Sequence, residues 1–393
     1  MGNQQTERYY YIDWLRVIAM GAIFLFHCAM PFNAVQDWDV KDTQSNTGLM
    51  VIVAFVHQWS IPLFFFLAGA SVWLALQHRT NREFLGERIK RLIIPLVFGV
   101  LLFSPFQAYL ENIRKLQFHG SYFQYFFHFF QPPDQVFSNP EKWFNLRLLY
   151  YYGRHLWFLG FLFLFSWISL PLFRRLQSIR DTVGFHRLIN RSQKKAGIWG
   201  FILPIVLIQV TLRAGFPEYL NWADFGYWFV FFIYGYLIFL GEWLLQRMEQ
   251  AWRLALISGL ICFSGIMVLY AMGLAGEWEI HPQYSPAYLS YQVLRSINTW
   301  CWVVFFLGVV KKHWNRKNEL LEYSSPAVMP FYILHRFFIV VIGFFIIQWR
   351  TGTLVKFTAI LMMALAVTLF SYEFIIRRTD WLRFLFGIKP SKR

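Results

Sequence analysis

Charge is scarce in this sequence. Of its 393 residues only 15% are Asp, Glu, Lys or Arg, well short of the roughly 25% usual in a water-soluble chain. Acidic residues are the scarcer sign, 21 against 37 Lys and Arg, for a formal net charge of +16. Cysteine is nearly absent. Cys28, Cys262 and Cys301 all lie inside apolar runs with no CxxC or Cys/His spacing, which excludes a disulfide framework and a thiolate metal site and leaves them as small buried hydrophobes. No constellation of metal ligands stands out, so a metal-independent chemistry with no bound cofactor is expected. A cleavable signal is missing too: the first apolar run is too long for an h-region and lacks a small-x-small exit. Finally, no internal repeat is apparent, which counts against transporter folds built from inverted repeats.

What fills the chain instead is apolar and aromatic. Hydrophobic residues make up 57% and aromatics 21%, with a mean hydropathy of +0.40. Apolar runs of membrane-spanning length recur from one end to the other. Ten spans are predicted, at 12–33, 49–77, 92–113, 155–174, 197–213, 224–246, 252–275, 291–311, 326–348 and 353–377, the fifth being the shortest. The fold class is therefore all-α, a polytopic membrane protein of about ten helices forming one domain over residues 1–393. Its tails, 1–11 and 378–393, are short.

The basic residues sort by connection. Arg79, Arg82, Arg88, Lys90 and Arg91 follow span two, and Arg174, Arg175, Arg180, Arg187, Arg191, Lys194 and Lys195 lie between spans four and five. "KKHWNRK" after span eight and the final tail are also basic. The alternate connections differ: "NAVQDWDVKDTQSNTG" is net acidic, "GEWEIHPQYSPAYLS" has no Lys or Arg, and 114–147 is mixed, with Arg114, Lys115, Lys142 and Arg147. By the positive-inside rule both termini are cytoplasmic. The surplus of positive charge is then a topology signal, and a nucleic-acid partner is not expected; membrane lipids are. "YFQYFFHFFQPP" in the 114–147 connection is too short to span. It reads either as an interfacial helix or re-entrant piece over a site, or as a loop resting on headgroups.

Ionisable groups inside the apolar runs are the candidate site, because such groups are expensive in a bilayer. In "YIDWLRVIAMGAIFLFHCAMPF", Arg16 and His27 are close to three helical turns apart and share a face, with Asp13 one turn below Arg16. The two lie roughly 16 Å apart along the axis. Arg16 can also be read as snorkelling to the interface beside Asp13, and His27 as a core histidine bonded to a carbonyl. His57 of span two sits roughly 12 Å below the outer surface by helix rise, a depth similar to that of His27. The two histidines either face one cavity or point to different neighbours.

Arg88 and Arg91 in "ERIKRLIIP" stand one turn apart at the cytoplasmic mouth of span three. Their forks suit phosphate oxygens such as those of coenzyme A, or equally lipid headgroups. His335, within span nine, is a further catalytic candidate. His155 and Trp157, opening span four, are candidate substrate contacts or members of an interfacial aromatic belt. Glu373 near the end of the last span is a candidate substrate contact or the partner of Arg377 in a helix-end ion pair.

These stretches taken in order resemble the acyltransferase-3 family of polytopic membrane proteins. "YYYIDWLRVIAMGAIFLFH", "PLFFFLAGAS", "RIKRLIIP", "HLWFLGFLF" and "FYILH" follow the family's order from about residue 8 to 390. The chain looks most similar to the branch that includes succinyltransferases of periplasmic glucans, which shares a "LFG-KP"-like tail. The family's Arg-x10-His pattern falls on Arg16 and His27, and its RxxR pattern on Arg88 and Arg91. Where the family usually has Ser-Gly after the Phe run, this chain has Ala68-Gly69. No appended soluble hydrolase domain is expected.

The resemblance implies a membrane O-acyltransferase of the bacterial inner membrane. It would move an acetyl or succinyl group from cytoplasmic acyl-CoA, a co-substrate, to a hydroxyl of an extracytoplasmic carbohydrate. Asp13 would orient Arg16, Arg16 would hold donor charge, and His27 would act as general base, an imidazole's ordinary pKa of roughly 6.5 lying near working pH. A covalent acyl-histidine is the alternative. The rival classes are a carrier or flippase for a lipid-linked sugar or small amphiphile, which needs no acyl-CoA, and a non-catalytic scaffold, in which His27 is replaceable.

Overall fold

The computed structural model describes residues 9–131, 146–180, 182 and 197–389. The expected basic positions Arg187, Arg191, Lys194, Lys195 and Lys142, and the outermost ends of the chain, lie outside them.

Helices account for the spans. α1 (Tyr10–Ala29) ends in a 3-10 turn, Met30–Phe32, and α2 covers Thr47–Leu76. α3 (Asn81–Arg88) runs through a π turn, Ile89–Ile93, into α4 (Ile94–Leu102), and α5 follows at Ser104–Arg114. α6 is Tyr122–Phe129, α7 Arg147–Gly153 and α8 Trp157–Ile179, the last two joined by the 3-10 turn Arg154–Leu156. α9 (Ile202–Leu212), α10 (Trp222–Leu237), α11 (Glu242–Ala271) and α12 (Leu274–Ile280) come next. The chain closes with α13 (Pro286–Trp314), α14 (Glu319–Ile346), α15 (Thr353–Phe370), a π turn Ser371–Ile376, and α16 (Asp380–Leu385).

Among the described residues 8 helices are long and apolar enough to cross a membrane, and 9 if the pair bent by 40° at Phe103 is one span. The bend has a local cause: Pro105 opens α5 and has no N–H to continue the α4 ladder. The expected fifth span is a shorter apolar helix, Gly197–Leu212. The protein is thus an all-α polytopic membrane protein.

Helix ends follow capping chemistry. Asn46, Ser285 and Asn318 accept from the first-turn amides of α2, α13 and α14, and Thr80 with Glu83 forms a reciprocal capping box on α3. Several boundaries differ from the sequence expectation. The third span begins at Asn81, capped by Thr80, rather than at 92, and the fourth at Arg147 rather than at 155. The sixth span stops before Gly241, whose extended backbone (φ −152, ψ 118) separates it from α11. α14 begins at Glu319 rather than at 326, because Asn318 caps it and it carries Pro326 and Pro330 internally.

α2 lies at the centre, against α1, α10 and α13. Its crossing with α10 is backbone on backbone. A Cβ on Gly69 would come within 1.8 Å of the Phe232 carbonyl oxygen, and one on Gly235 within 1.7 Å of that of Phe66. Only glycine permits so close an approach, a device common between membrane helices. Nearby, Phe173 and Tyr236 stack with ring centroids 3.7 Å apart, and the Tyr236 hydroxyl donates to the Phe173 carbonyl at 2.9 Å. α11 instead presents Leu254, Ile257, Leu260 and Ile261 outward, the surface a helix shows to lipid. The aromatic connection forms the short helix α6. It buries Tyr125 and Phe129 near Ala108 of α5 and leaves Phe123 and Phe127 exposed, as an interfacial piece does.

Both described ends emerge on one face of the bundle. The Tyr11 amide donates to Asn315 Oδ1 at 3.3 Å and Trp14 Nε1 to the Arg316 carbonyl at 3.1 Å. The C-terminal Gly387 packs against Arg91. This terminal face also carries the 77–80 and 315–318 connections. The loop 33–46 and α12 lie on the opposite face.

Candidate active site

A cavity of about 900 Å³ runs between the two faces. Arg16, Ser71, Arg88, Arg91 and Gly387 line it toward the terminal face. His27, His57, Arg154, His155, Arg336, Arg213 and Arg295 line it toward the other. Seven of the ten candidate residues named from sequence line this space: Arg16, His27, His57, Arg88, Arg91, His155 and Trp157.

At its centre His27 meets His335 rather than His57. His27 Nδ1 lies 2.8 Å from His335 Nε2. His335 is fully buried, behind His27 as seen from the cavity, and its Nδ1 lies 2.8 Å from the Tyr332 carbonyl and 3.1 Å from that of Phe331. Carbonyls only accept, so the His335 proton sits on Nδ1 and Nε2 is an acceptor. His27 must then donate from Nδ1, which leaves the lone pair of its Nε2 unused by the pair. The His27 ring also stacks on Trp38, centroids 5.2 Å apart and 24° from parallel.

His155 closes the cluster from the 3-10 turn that precedes α8. Its Nε2 donates to the Tyr332 and Ile333 carbonyls at 3.0 and 3.2 Å, and the Tyr332 hydroxyl donates back to the His155 carbonyl. Its role is therefore to pin α8 to α14, with its ring 5.3 Å from that of His335. Trp157 is buried and stacked on Trp228 at 5.0 Å.

The terminal end of the cavity is cationic. Arg16 donates to Asp13 Oδ1 at 2.8 Å and to the Ser71 hydroxyl, and Ser71 donates to the Leu67 carbonyl at 2.6 Å. Ser71 thus supplies a hydroxyl to Arg16 in a chain that has Ala68 where the resembled family has serine. Arg91 pairs with Glu87 at 3.2 Å, and Glu87 is shared with Arg79 at 2.8 Å. Arg88 lies over the Phe84 ring, 5.0 Å from its centroid, with no carboxylate at ion-pair distance among the described residues. The π turn that follows Arg88 carries Arg91 on it; such turns recur at functional sites. No Asp or Glu lines this end.

Glu373 stands apart. It pairs with Arg377 at 2.9 Å on the surface and does not line the cavity, so the structure does not bring it together with the other candidates. Among the described residues no group of three or more His, Cys, Asp and Glu side chains is placed to hold a metal ion.

Several site residues were not singled out from sequence. Arg336, next to His335, donates to Asp39 Oδ2 at 2.7 Å and lies over Trp38 at 4.4 Å. Arg154 bridges Asp39 at 3.3 Å and Glu111 at 2.5 Å. Lys115 extends the chain of charges to Glu111 at 2.7 Å and Asp37 at 2.8 Å. Asp42 pairs with the buried Lys356 at 2.7 Å. The acidic loop 33–46 is therefore strapped over His27 by ion pairs, at Asp39 and at Asp42. A signal existed for Arg336 and Arg295, since each is an arginine inside a predicted span. The loop acids carry none, because their partners are 78 to 314 residues away.

Comparison with known proteins places this architecture. The acyltransferase-domain family matches residues 9–373. Proteins called glucans biosynthesis protein C are similar along the whole length. Those of Salmonella schwarzengrund (strain CVM19633) and Salmonella typhi are 22% identical over 406 residues, covering 99% of this chain and 97% of theirs. That of Escherichia coli (strain K12) is 22% identical over 415 residues with the same coverage. No solved structure matches.

Proposed function

From the premise that this chain belongs to the acyltransferase-3 family and is a multi-pass membrane acyltransferase, we propose that it transfers an acyl group from cytoplasmic acyl-CoA to a hydroxyl of an extracytoplasmic carbohydrate. The observation that carries the reading is the pairing of one free imidazole nitrogen, His27 Nε2, with an end of the same cavity lined by three arginines and no carboxylate, where Arg88 has no ion-pair partner among the described residues. A base alone suits many reactions. A base joined by one channel to Arg16, Arg88 and Arg91 suits a substrate that is a polyanion at one end and reactive at the other.

Coenzyme A has that form. In the proposed complex its phosphates lie at Arg88 and Arg91, whose forks match phosphate oxygens. The pantetheine arm follows the cavity, and the thioester reaches His27, roughly 16 Å from Arg16 by helix rise. His27 Nε2 takes the proton of the acceptor hydroxyl as the oxygen attacks the thioester carbonyl. The new C–O bond forms, the C–S bond breaks, and the proton passes from the imidazolium to the departing thiolate. The imidazolium, charged on both ring nitrogens as donors, remains bonded to His335 Nε2 throughout. Positive-inside topology puts the terminal face, with its basic connections, in the cytoplasm, and the proposed home is the bacterial inner membrane. The names of the similar proteins make a glucan the first acceptor to try, with acetyl and succinyl both tried as the acyl group.

The test uses purified protein in liposomes with labelled acetyl-CoA and succinyl-CoA and an added glucan. Thioester consumption and label transfer that vanish in His27→Ala support the reading. If neither thioester is consumed with several acceptors supplied, the reading fails and a carrier, which also needs a cavity joining both faces, takes its place.

A further inference from the structure

Charge is distributed unequally along the cavity. Its terminal end shows three arginines and no carboxylate, the partners of Arg16 and Arg91 lying behind the wall and Arg88 having none among the described residues, whereas the remainder is lined by five arginines and five carboxylates. The balance is local as well as total. On the side away from His335, Arg213 is paired with Asp224, and Arg295 with Glu279 at 3.5 Å. Glu279 is further held by the hydroxyls of Tyr270 at 2.6 Å and Tyr291 at 3.0 Å. These groups hold fixed dipoles and spare N–H donors without net charge.

His57 belongs to this wing, not to the His27 cluster. The His57 ring stacks on Phe26, centroids 6.3 Å apart, and shares the cavity wall with Arg213, Asp224, Glu279 and Arg295, whereas His27 is paired with His335 and stacked on Trp38. The His57 imidazole makes no hydrogen bond to a protein group among the described residues. One helix away, Gln292 is 1% exposed and lines the cavity, yet its Oε1 has no hydrogen-bond partner. A buried amide oxygen left without a donor is costly, and it persists where a ligand or water supplies one.

We infer that this wing is the acceptor subsite, and that it binds a neutral polyhydroxylated ligand, a saccharide without acidic groups. The inference rests on the reading above for the saccharide's role but names its seat and its charge. A sugar hydroxyl both donates and accepts. Gln292 Oε1 and the free His57 nitrogen take hydroxyl protons, while Arg295 and Arg213 offer N–H groups to hydroxyl oxygens. A carboxylated saccharide would place an anion beside Glu279 and Asp224 with their arginines already engaged. The wing opens on the face opposite the chain's ends, near α12 and Pro282, so donor and acceptor enter from opposite faces and meet at His27.

The test is calorimetric binding of a neutral gluco-pentasaccharide to the full chain in nanodiscs, with no acyl donor present. Gln292→Leu keeps the volume and removes the acceptor oxygen; it is expected to raise the Kd about tenfold or more. Gln292→Glu, which keeps an oxygen, raises it less, and Arg88→Ala leaves it unchanged. If Gln292→Leu does not fold, His57→Phe carries the same expectation. An unchanged Kd in the variant that folds, tighter binding of the uronic-acid counterpart, or no saccharide binding by the parent protein overturns the inference. Because no thioester is present, this failure is separate from failure of acyl transfer, which the liposome assay reads alone.

Discussion

His27 Nδ1 and His335 Nε2 lie 2.8 Å apart, and the far nitrogen of His335 is tied to the backbone carbonyls of Tyr332 and Phe331. The direction of every proton in this row follows from carbonyls being acceptors. A ring that must donate through Nδ1 presents Nε2 as a base, much as a carboxylate orients the histidine of other catalytic sites. His335 is thus a positioning residue: it is buried, does not reach the cavity, and acts through His27.

Removing either ring should therefore have unequal effects. His27→Ala is expected to lower kcat by about 10²–10⁴-fold, the usual worth of a general base. His335→Gln retains an acceptor for the His27 proton and should cost about tenfold, whereas His335→Phe should approach the loss of His27→Ala. Donor KM should stay constant in all three. The check is steady-state acyl transfer in liposomes; equal activity of His335→Phe and the parent would remove the relay from the mechanism.

At the other end, Arg88 and Arg91 are expected to act on donor affinity alone. Arg88→Ala with Arg91→Ala should raise the KM for acyl-CoA by about tenfold or more, since each charge-assisted bond to phosphate contributes about 1.5–3 kcal/mol. kcat at saturating donor should change little. Testing dephosphorylated donor analogues against the same variants checks the assignment: the penalty should shrink as phosphates are removed. A variant that loses kcat with KM unchanged contradicts it.

Much of this was legible in sequence for a simple reason. Length and apolarity specify a spanning helix almost by themselves, so the expected order of spans is found nearly intact, and the shifted boundaries of the third, sixth and ninth spans trace to the Thr80 cap, Gly241 and the Asn318 cap. The Arg16–His27 face was readable because both residues lie on one helix, where spacing fixes geometry. Relations between helices were not readable in that way. His57 and His27 have similar depth, yet Phe26 and the packing of α14 against α1 turn them toward different partners. Ser71, about one turn along α2 from Ala68, gives Arg16 a hydroxyl partner. The pairings of Asp39 and Asp42 depend on which residues of α14 and α15 the fold brings to the loop, and no local pattern encodes that.

The glycine crossing of α2 and α10 gives a prediction about stability. Gly69→Ala puts a methyl carbon where the Phe232 carbonyl oxygen already lies 1.8 Å away, and backbone has nowhere to move without parting the helices. A loss of about 1–3 kcal/mol or more is expected, seen as a lowered midpoint in thermal unfolding in detergent. Gly21→Ala is the control: an added Cβ there meets nothing within 4 Å, and a helix interior gains about 0.5–1 kcal/mol from the exchange. Equal midpoints for the two variants would show that the crossing tolerates separation.

The strap of loop 33–46 has two buried fastenings of different character. Asp39 is shared by Arg336 and Arg154 beside the site, while Asp42 meets Lys356 at 2.7 Å more than one helix away, and Lys356 also donates to the Ile347 carbonyl at 3.0 Å. Breaking one partner of a buried pair costs about 3–5 kcal/mol, because the other charge is stranded. Asp42→Asn should therefore destabilise the fold while leaving kcat of the folded fraction near that of the parent. Asp39→Asn should destabilise it and also lower activity, since it frees Arg336 from its place over Trp38, on which His27 stacks. Joining Asp42→Asn to Lys356→Met removes both charges together and should recover most of the lost midpoint; joining Asp39→Asn to Arg336→Gln should recover midpoint but not activity. Thermal unfolding and acyl transfer measured on the same four preparations decide it. If the second double variant regains full rate, the strap is only a structural fastening and Trp38 does not set the His27 ring.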